Sequence, residues 1–255
     1  MQIPSLEEMF AAGVHFGHRS ERWHPKSKPF IFGERQGIHV VNLEVTQEKL
    51  AEACEFAKKL AAEGKTILFL GTKRQAQQVI KTEAERCGMP YNIEGWLGGL
   101  ITNFDELGKL LERYRKMRTD REAGAWEKYT KKERSVMEVD YQKKRVVLEG
   151  LSTLKKMPDA IYIVDIRNEK TAVTEAGVRG IPSIAITDTN VNPEKVTHPI
   201  PANDDAVRSI ALITRCIADA ILEGKAARTA AAPVEENKPA AAPRNSDRAM
   251  VAAQQ

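Results

Sequence analysis

The sequence predicts an α/β protein, a parallel β-sheet with helices on both faces, interrupted by an antiparallel coiled-coil hairpin. Three observations lead there. Residues 66–70, 161–164 and 183–186 are apolar on successive positions, as in strands covered on both faces. Each run is followed by turn residues and a helical pattern, and βαβα alternation makes the strands parallel. Between residues 103 and 156 the alternation stops and helical spacing takes over.

In chain order, Ser5 with Glu8 forms a capping box for a short helix ending at Gly13. Residues 30–32 and 38–41 flank Gly33–Gly37 and predict a hairpin. Leu50, Ala53, Cys54, Ala57 and Leu60 give residues 46–62 an apolar helical face. After the first buried run, Thr72 and Gln75 predict a capping box. The helix they open should run to Cys87, where Gly88 and Pro90 stop it. Residues 168–178 and 204–223 follow the other two runs as helices. In the insertion, Phe104, Leu107, Leu111 and Tyr114 keep 3-4-3 spacing, and Met137, Tyr141, Lys144, Leu148 and Leu151 do so less cleanly. Residues 119–132, which include Gly124, form the tip of a hairpin too thin and too charged to bury much. Residues 226–255 hold 11 Ala and 3 Pro with no Leu, Ile, Phe, Tyr or Trp, and are expected to be a disordered tail. The expected organisation is a globular domain of residues 1–102 and 157–225, a hairpin of 103–156, and the tail.

Composition narrows the function. The 255 residues carry 39 Lys+Arg against 35 Asp+Glu, a net charge of +4. The hairpin holds the excess, with 15 basic against 10 acidic residues from Asp105 to Lys156, which points to a localised anionic partner. No run of about 18 apolar residues reads as a membrane span. Ser5, Glu7 and Glu8 interrupt any signal-like start, so the chain is expected to be cytoplasmic. Cys54, Cys87 and Cys216 stand alone, with no CxxC pair for a disulfide framework or thiolate zinc site. Gly64-Lys65-Thr66 precedes a strand and has Lys59 where a P-loop needs glycine, and no G-x-G-x-x-G follows a strand. No Ser or Cys has a nucleophile-elbow setting. No enzymatic site and no small-molecule substrate are expected.

Two places suit nucleic acid. Residues 17–28 mix Arg19, Arg22, Lys26 and Lys28 with Trp23, a pattern that fits a backbone beside a stacked base or sugar; the alternative is that Trp23 docks on the domain. Lys73 and Arg74 are expected in the first turn of a helix, where free N–H groups and two cations would hold a phosphate; the alternative is a solvated pair. On the hairpin, Lys131, Lys132, Lys143, Lys144 and Arg145 are the candidate RNA contacts. A metal site is expected at His18, Asp188 and Asp204, with His15 as an alternative or supporting ligand. Parallel strands bring their following loops to one edge, and one imidazole with two carboxylates suits a structural zinc or magnesium ion. Against it, Asp204 is a natural helix cap and Asp188 a natural turn residue.

Three motifs carry a family resemblance. Ala12-Gly13-Val14-His15-Phe16-Gly17-His18 with Arg22-Trp23-His24-Pro25-Lys26, then Trp96-Leu97-Gly98-Gly99-Leu100-Ile101-Thr102-Asn103-Phe104, then Pro158-Asp159-Ala160-Ile161 through Asp165 with Glu175, Gly180, Ile181 and Pro182, resemble the bacterial small-subunit ribosomal protein S2 family, in its order. The resemblance spans residues 2 to about 225. It implies a flavodoxin-like α/β body with a coiled-coil hairpin and a structural place in the small ribosomal subunit near the head–body junction. It further implies small-subunit rRNA as main ligand, other small-subunit proteins as neighbours, and a part in docking ribosomal protein S1.

Overall fold

A computed structural model describes residues 3–231. Its centre is a five-stranded parallel sheet of β4 (Ile67–Leu70), β5 (Tyr91–Asn92), β6 (Ala160–Val164), β7 (Ser183–Thr187) and β8 (His198–Pro201), in the order β5-β4-β6-β7-β8. Counted within this sheet the order is 2-1-3-4-5, the flavodoxin order. Alternate side chains of each buried strand enter two cores. Phe69, Tyr162, Val164, Ile184 and Ile186 pack with α2 (Leu43–Ala62), α3 (Arg74–Cys87) and α7 (Val207–Ala231). Leu68, Leu70, Ile161, Ile163 and Ala185 pack with α6 (Lys170–Arg179) and with the base of a helical hairpin, α4 (Phe104–Glu122) and α5 (Lys131–Leu148). Cys54, Cys87 and Cys216 are free and buried, and burial raises all three thiols, so none supplies a ready thiolate.

β5 and β8 escape the sequence reading because one is two residues long and the other contains Pro199 and Pro201, which only an edge strand tolerates. The hairpin buries more than its charge suggests. Tyr114 and Tyr141 stack at 5.8 Å, Trp126 meets Tyr141 edge-on at 6.2 Å, and Arg121 lies 5.1 Å from the Tyr141 ring centre. Arg121 also pairs with Glu138, and the Tyr114 hydroxyl donates to Glu149. This aromatic seam continues into the core that carries Leu148, Leu151 and Leu154.

The tail reading needs correction at its start. α7 runs through Ala231 because alanine favours the helix, and the Lys225 amine ties it down by donating to the carbonyls of Cys87 and Gly88. Residues 232–255 lie outside the described residues. The capping box at Thr72 is also absent. Lys73 is the N-cap of α3 with no side-chain cap bond, and the Thr72 hydroxyl donates to Glu169 instead. The box at Ser5 and Glu8 forms as expected, opening α1 (Leu6–Ala11).

The N-terminal arm forms its own antiparallel sheet, β1 (Phe16–Arg19), β2 (Ile31–Arg35) and β3 (Ile38–Val41), ordered β1-β3-β2. Gln36 and Gly37, both at positive φ, make the two-residue turn whose twist suits β2 and β3. The arm is clasped to the loop after β7. The Thr189 hydroxyl accepts from His18 N, the Thr189 carbonyl accepts from His24 N, and Ser27 donates to the Val191 carbonyl at 2.7 Å. Gly17 makes this approach possible, since a Cβ there would meet Thr189 Cγ2 at 2.8 Å and the His39 carbonyl oxygen at 2.9 Å.

Candidate site at the carboxyl edge of the sheet

The loops that follow β4, β6, β7 and β8 converge at one edge, as parallel strands require. They bring four carboxylates together: Asp165 after β6, Asp188 after β7, and Asp204 and Asp205 after β8. Lys73, after β4, is their counter-ion. Its amine lies 2.9 Å from Asp204, 2.5 Å from Asp205 and 3.4 Å from Asp165. Burial opposes its charge, but the carboxylates outweigh burial and hold its pKa above the ordinary lysine value. The arm adds His18, whose Nδ1 is 2.9 Å from Asp188 and whose Nε2 is 3.7 Å from Asp205. The hydrogen bond to Asp188 raises the His18 pKa against the opposing effect of burial. Asp204 is almost completely buried. Burial, then the neighbouring charges of Asp165 and Asp188, push its pKa up to about 7, with Lys73 opposing. Asp165 sits at φ 66°, a strained conformation for a residue with a Cβ; its short side chain repays part of this by accepting from the N–H groups of Arg167 and Asn168.

His18, Asp188 and Asp204 each offer a donor atom, all within 4.8 Å of one another. The expected trio is therefore together. His15 is not with it: its ring lies between Phe10, at 4.3 Å, and Phe16, at 4.1 Å. Asp204 is not a helix cap. α7 begins at Val207, and the N–H groups of Asp205 and Ala206 are taken by the Asn203 side chain. Asp165, Asp205 and Lys73 were missed as members of the cluster. The strand-edge rule that found Asp188 applies equally to Asp165, which follows a buried run in the same way.

The phosphate reading of Lys73 is corrected by this geometry. Its amine is committed to three carboxylates, and a phosphate placed there would meet their charge. The Glu169 carboxylate, 3% exposed, accepts from both Thr72 N and the Thr72 hydroxyl, so the protein fills this part of the crevice itself. Arg74, beside it, is exposed with no ion pair among the described residues.

The other cations divide by face. Arg19, Arg22 and Lys28 are exposed without ion partners among the described residues, and Lys26 pairs with Glu194 at 2.8 Å across an exposed surface. Trp23 is 37% exposed, with its ring 5.5 Å from His39, so it is half docked and half open. On α5 the five candidates do not share a face. Lys144 points into the hairpin seam, where it pairs with Asp140 at 2.6 Å and approaches the Met117 sulfur. Arg145 lies 3.7 Å from Glu149. Lys131, Lys132 and Lys143 are exposed.

One buried carboxylate, Glu175 on α6, joins two sequence motifs. It accepts from Trp96 Nε1 at 2.9 Å, Gly99 N at 2.8 Å, and Ile101 N, Thr102 N and Thr102 Oγ1 at 3.1 Å each. It thus fixes the loop that leads into α4.

An α/β body that commits Thr72, Lys73 and Glu169 to partners of its own and presents exposed cations on an arm and a hairpin has the form of a structural protein. Residues 9–224 match the family model for ribosomal protein S2, and the chain belongs to that family. It is 51% identical over 220 residues to the small ribosomal subunit protein uS2 of Dictyoglomus thermophilum, which covers 86% of this chain and 89% of that protein. To the small ribosomal subunit protein uS2 of Fusobacterium nucleatum subsp. nucleatum it is 47% identical over 225 residues, 88% of this chain and 91% of that protein. Its role is structural, within the small ribosomal subunit. No helix among the described residues is long and apolar enough to cross a membrane.

Proposed function

We propose that the chain binds small-subunit rRNA in the cytoplasmic ribosome through the cations of its arm, Arg19, Arg22, Lys26 and Lys28, with Trp23 as a stacking surface, through Arg74, and through Lys131 and Arg145 on one side of α5. The observation that carries this reading is the exposure of these cations beside a clasped, ordered arm, with Arg19, Arg22, Lys28, Arg74 and Lys131 lacking ion partners among the described residues. Phosphate neutralisation dominates such binding, so the test is co-sedimentation of the chain with small-subunit rRNA at rising salt. Binding that ignores salt would overturn it.

A protein partner is proposed for a different surface. Phe10, Phe16 and Phe32 are 63%, 52% and 77% exposed. Phe10 and Phe32 line a hollow of about 220 Å³ with His15 and Val40. Exposed aromatic patches of this kind mark protein contacts, and ribosomal protein S1 is the proposed occupant. Replacing the three phenylalanines with serine is expected to release S1 from purified small subunits while rRNA binding holds. Retained S1 would exclude this surface.

A structural ion is proposed at His18, Asp188 and Asp204. The donor set fits zinc better than magnesium, because an imidazole is among the three ligands. The ion would draw Asp204 from Lys73 and pin the arm to the loop after β7. Purified chain is expected to carry close to one zinc and to melt at lower temperature with chelator. Chain that carries no ion, with a chelator-insensitive melt, would remove the site.

A further inference from the structure

α5 carries two apolar rows on nearly opposite faces. The inner row, Met137, Tyr141 and Leu148, meets α4 and the core. The outer row, Lys132, Val136, Val139, Lys143 and Val146, repeats with 4-3-4-3 spacing and is exposed among the described residues. Its valines are 64%, 54% and 59% exposed. Valine is a poor helix former, so three of them at heptad spacing on an exposed face weaken the helix with no burial among the described residues to offset it. At the N-terminal end, Tyr129, Lys132 and Val136 line a hollow of about 380 Å³ that extends the row toward the hairpin tip.

The charges beside the row select the occupant. The acidic side chains near it are already engaged: Glu133 caps Thr130, Glu138 is held by Arg121, and Asp140 by Lys144. Lys132 and Lys143 are without partners among the described residues, and stand about 16 Å apart along the axis at 1.5 Å per residue. We propose that this face docks an acidic amphipathic helix of another small-subunit protein, which lays its apolar seam on the three valines and its carboxylates on Lys132 and Lys143. A nucleic-acid backbone offers nothing to bury the valine methyl groups, whereas the heptad spacing matches a packed helix. The inference rests on the chain's place in the small subunit, and assigns Lys132 and Lys143 to protein while Lys131 and Arg145 stay with RNA.

The test places a photoreactive benzophenone side chain at position 139 of the full chain, assembles it into small subunits in cells, and irradiates the purified particles. A control carries the same group at position 131. The expected result is a link from position 139 to one protein, mapped to a helical segment of net negative charge with apolar heptad spacing. Lys132→Glu with Lys143→Glu is expected to lower its yield about tenfold. Val136→Thr, Val139→Thr and Val146→Thr together keep β-branched shape and remove the apolar row; with the photoreactive group at position 135 both in this variant and in a chain with the valines intact, only the chain with valines is expected to give the link, while helix content by circular dichroism is the same in both. A link from 139 to rRNA, to a second copy of this chain or to a basic segment overturns the proposal, as does no link at all. A chain that fails to travel with small subunits would instead overturn the small-subunit reading on which it rests.

Discussion

Glu175→Ala is expected to destabilise the chain by about 3–5 kcal/mol, because five donors lose their acceptor at a site that water barely reaches. For a chain of this size that lowers the melting temperature by roughly 10 °C. Glu175→Gln keeps one oxygen but presents an amide N–H to the other donors, so its loss should be intermediate. The pH dependence follows from the direction of the shift. Burial works against the ionised carboxylate, yet the hydrogen bonds from Trp96, Gly99, Thr102 and Ile101 outweigh it and hold the pKa below the ordinary glutamate value. A depressed folded pKa contributes stability that is complete above the unfolded value of about 4.3 and is lost as pH falls through the folded one. Urea melts between pH 3 and 7 should therefore show wild-type stability falling faster in acid than that of Glu175→Gln. Equal acid slopes would mean that the carboxylate is not ionised in the folded chain.

The second large effect concerns salt. Arg19→Gln, Arg22→Gln and Lys28→Gln together should lower the slope of log binding constant against log salt by about 2–3, since each phosphate contact contributes roughly 0.7–0.9. Lys144→Gln serves as a contrast. Its amine is paired with Asp140 beside the hairpin seam, so its removal should leave the slope unchanged. Filter binding to small-subunit rRNA between 50 and 200 mM salt reads both. An arm variant with wild-type slope, and a Lys144 variant with a reduced one, would move the RNA contact from the arm to the hairpin.

The parts of this molecule that were legible in the sequence are those decided locally or by strand direction. The buried strand runs give the sheet, because covered strands leave no polar alternation. The Ser5–Glu8 box forms because nothing distant competes for either side chain. Asp188 and Asp204 meet because loops after parallel strands share one edge, and His18 joins them from the arm, which Gly17 lets approach closely. What was hidden depends on partners far along the chain. Thr72 carries the local pattern of a cap, but Glu169, 97 residues away, takes both its N–H and its hydroxyl. Lys73 looked misplaced at the positive end of a helix dipole worth a few tenths of a kcal/mol to about 1 kcal/mol. Three carboxylates within 3.4 Å make that term secondary, and they come from loops 92 to 132 residues downstream. Glu175 read as one letter of a motif, and its role appears only when the loop at 96–102 is folded onto it.

The clasp between the arm and the loop after β7 has a consequence for how the chain is made. His18 waits for Thr189, 171 residues later, and the Gly13 carbonyl waits for Asn203, 190 residues later. At about 5–20 residues per second, a translating ribosome leaves the arm undocked for roughly 10–35 s after its synthesis. The arm thus finds its seat only after the loops that follow β7 and β8 have been made. Throughout that interval Trp23 and the cations Arg19, Arg22, Lys26 and Lys28 stand beside the nascent chain's own ribosome, a surface rich in phosphate. Assembly of this protein therefore places a premium on what holds the arm until its dock emerges.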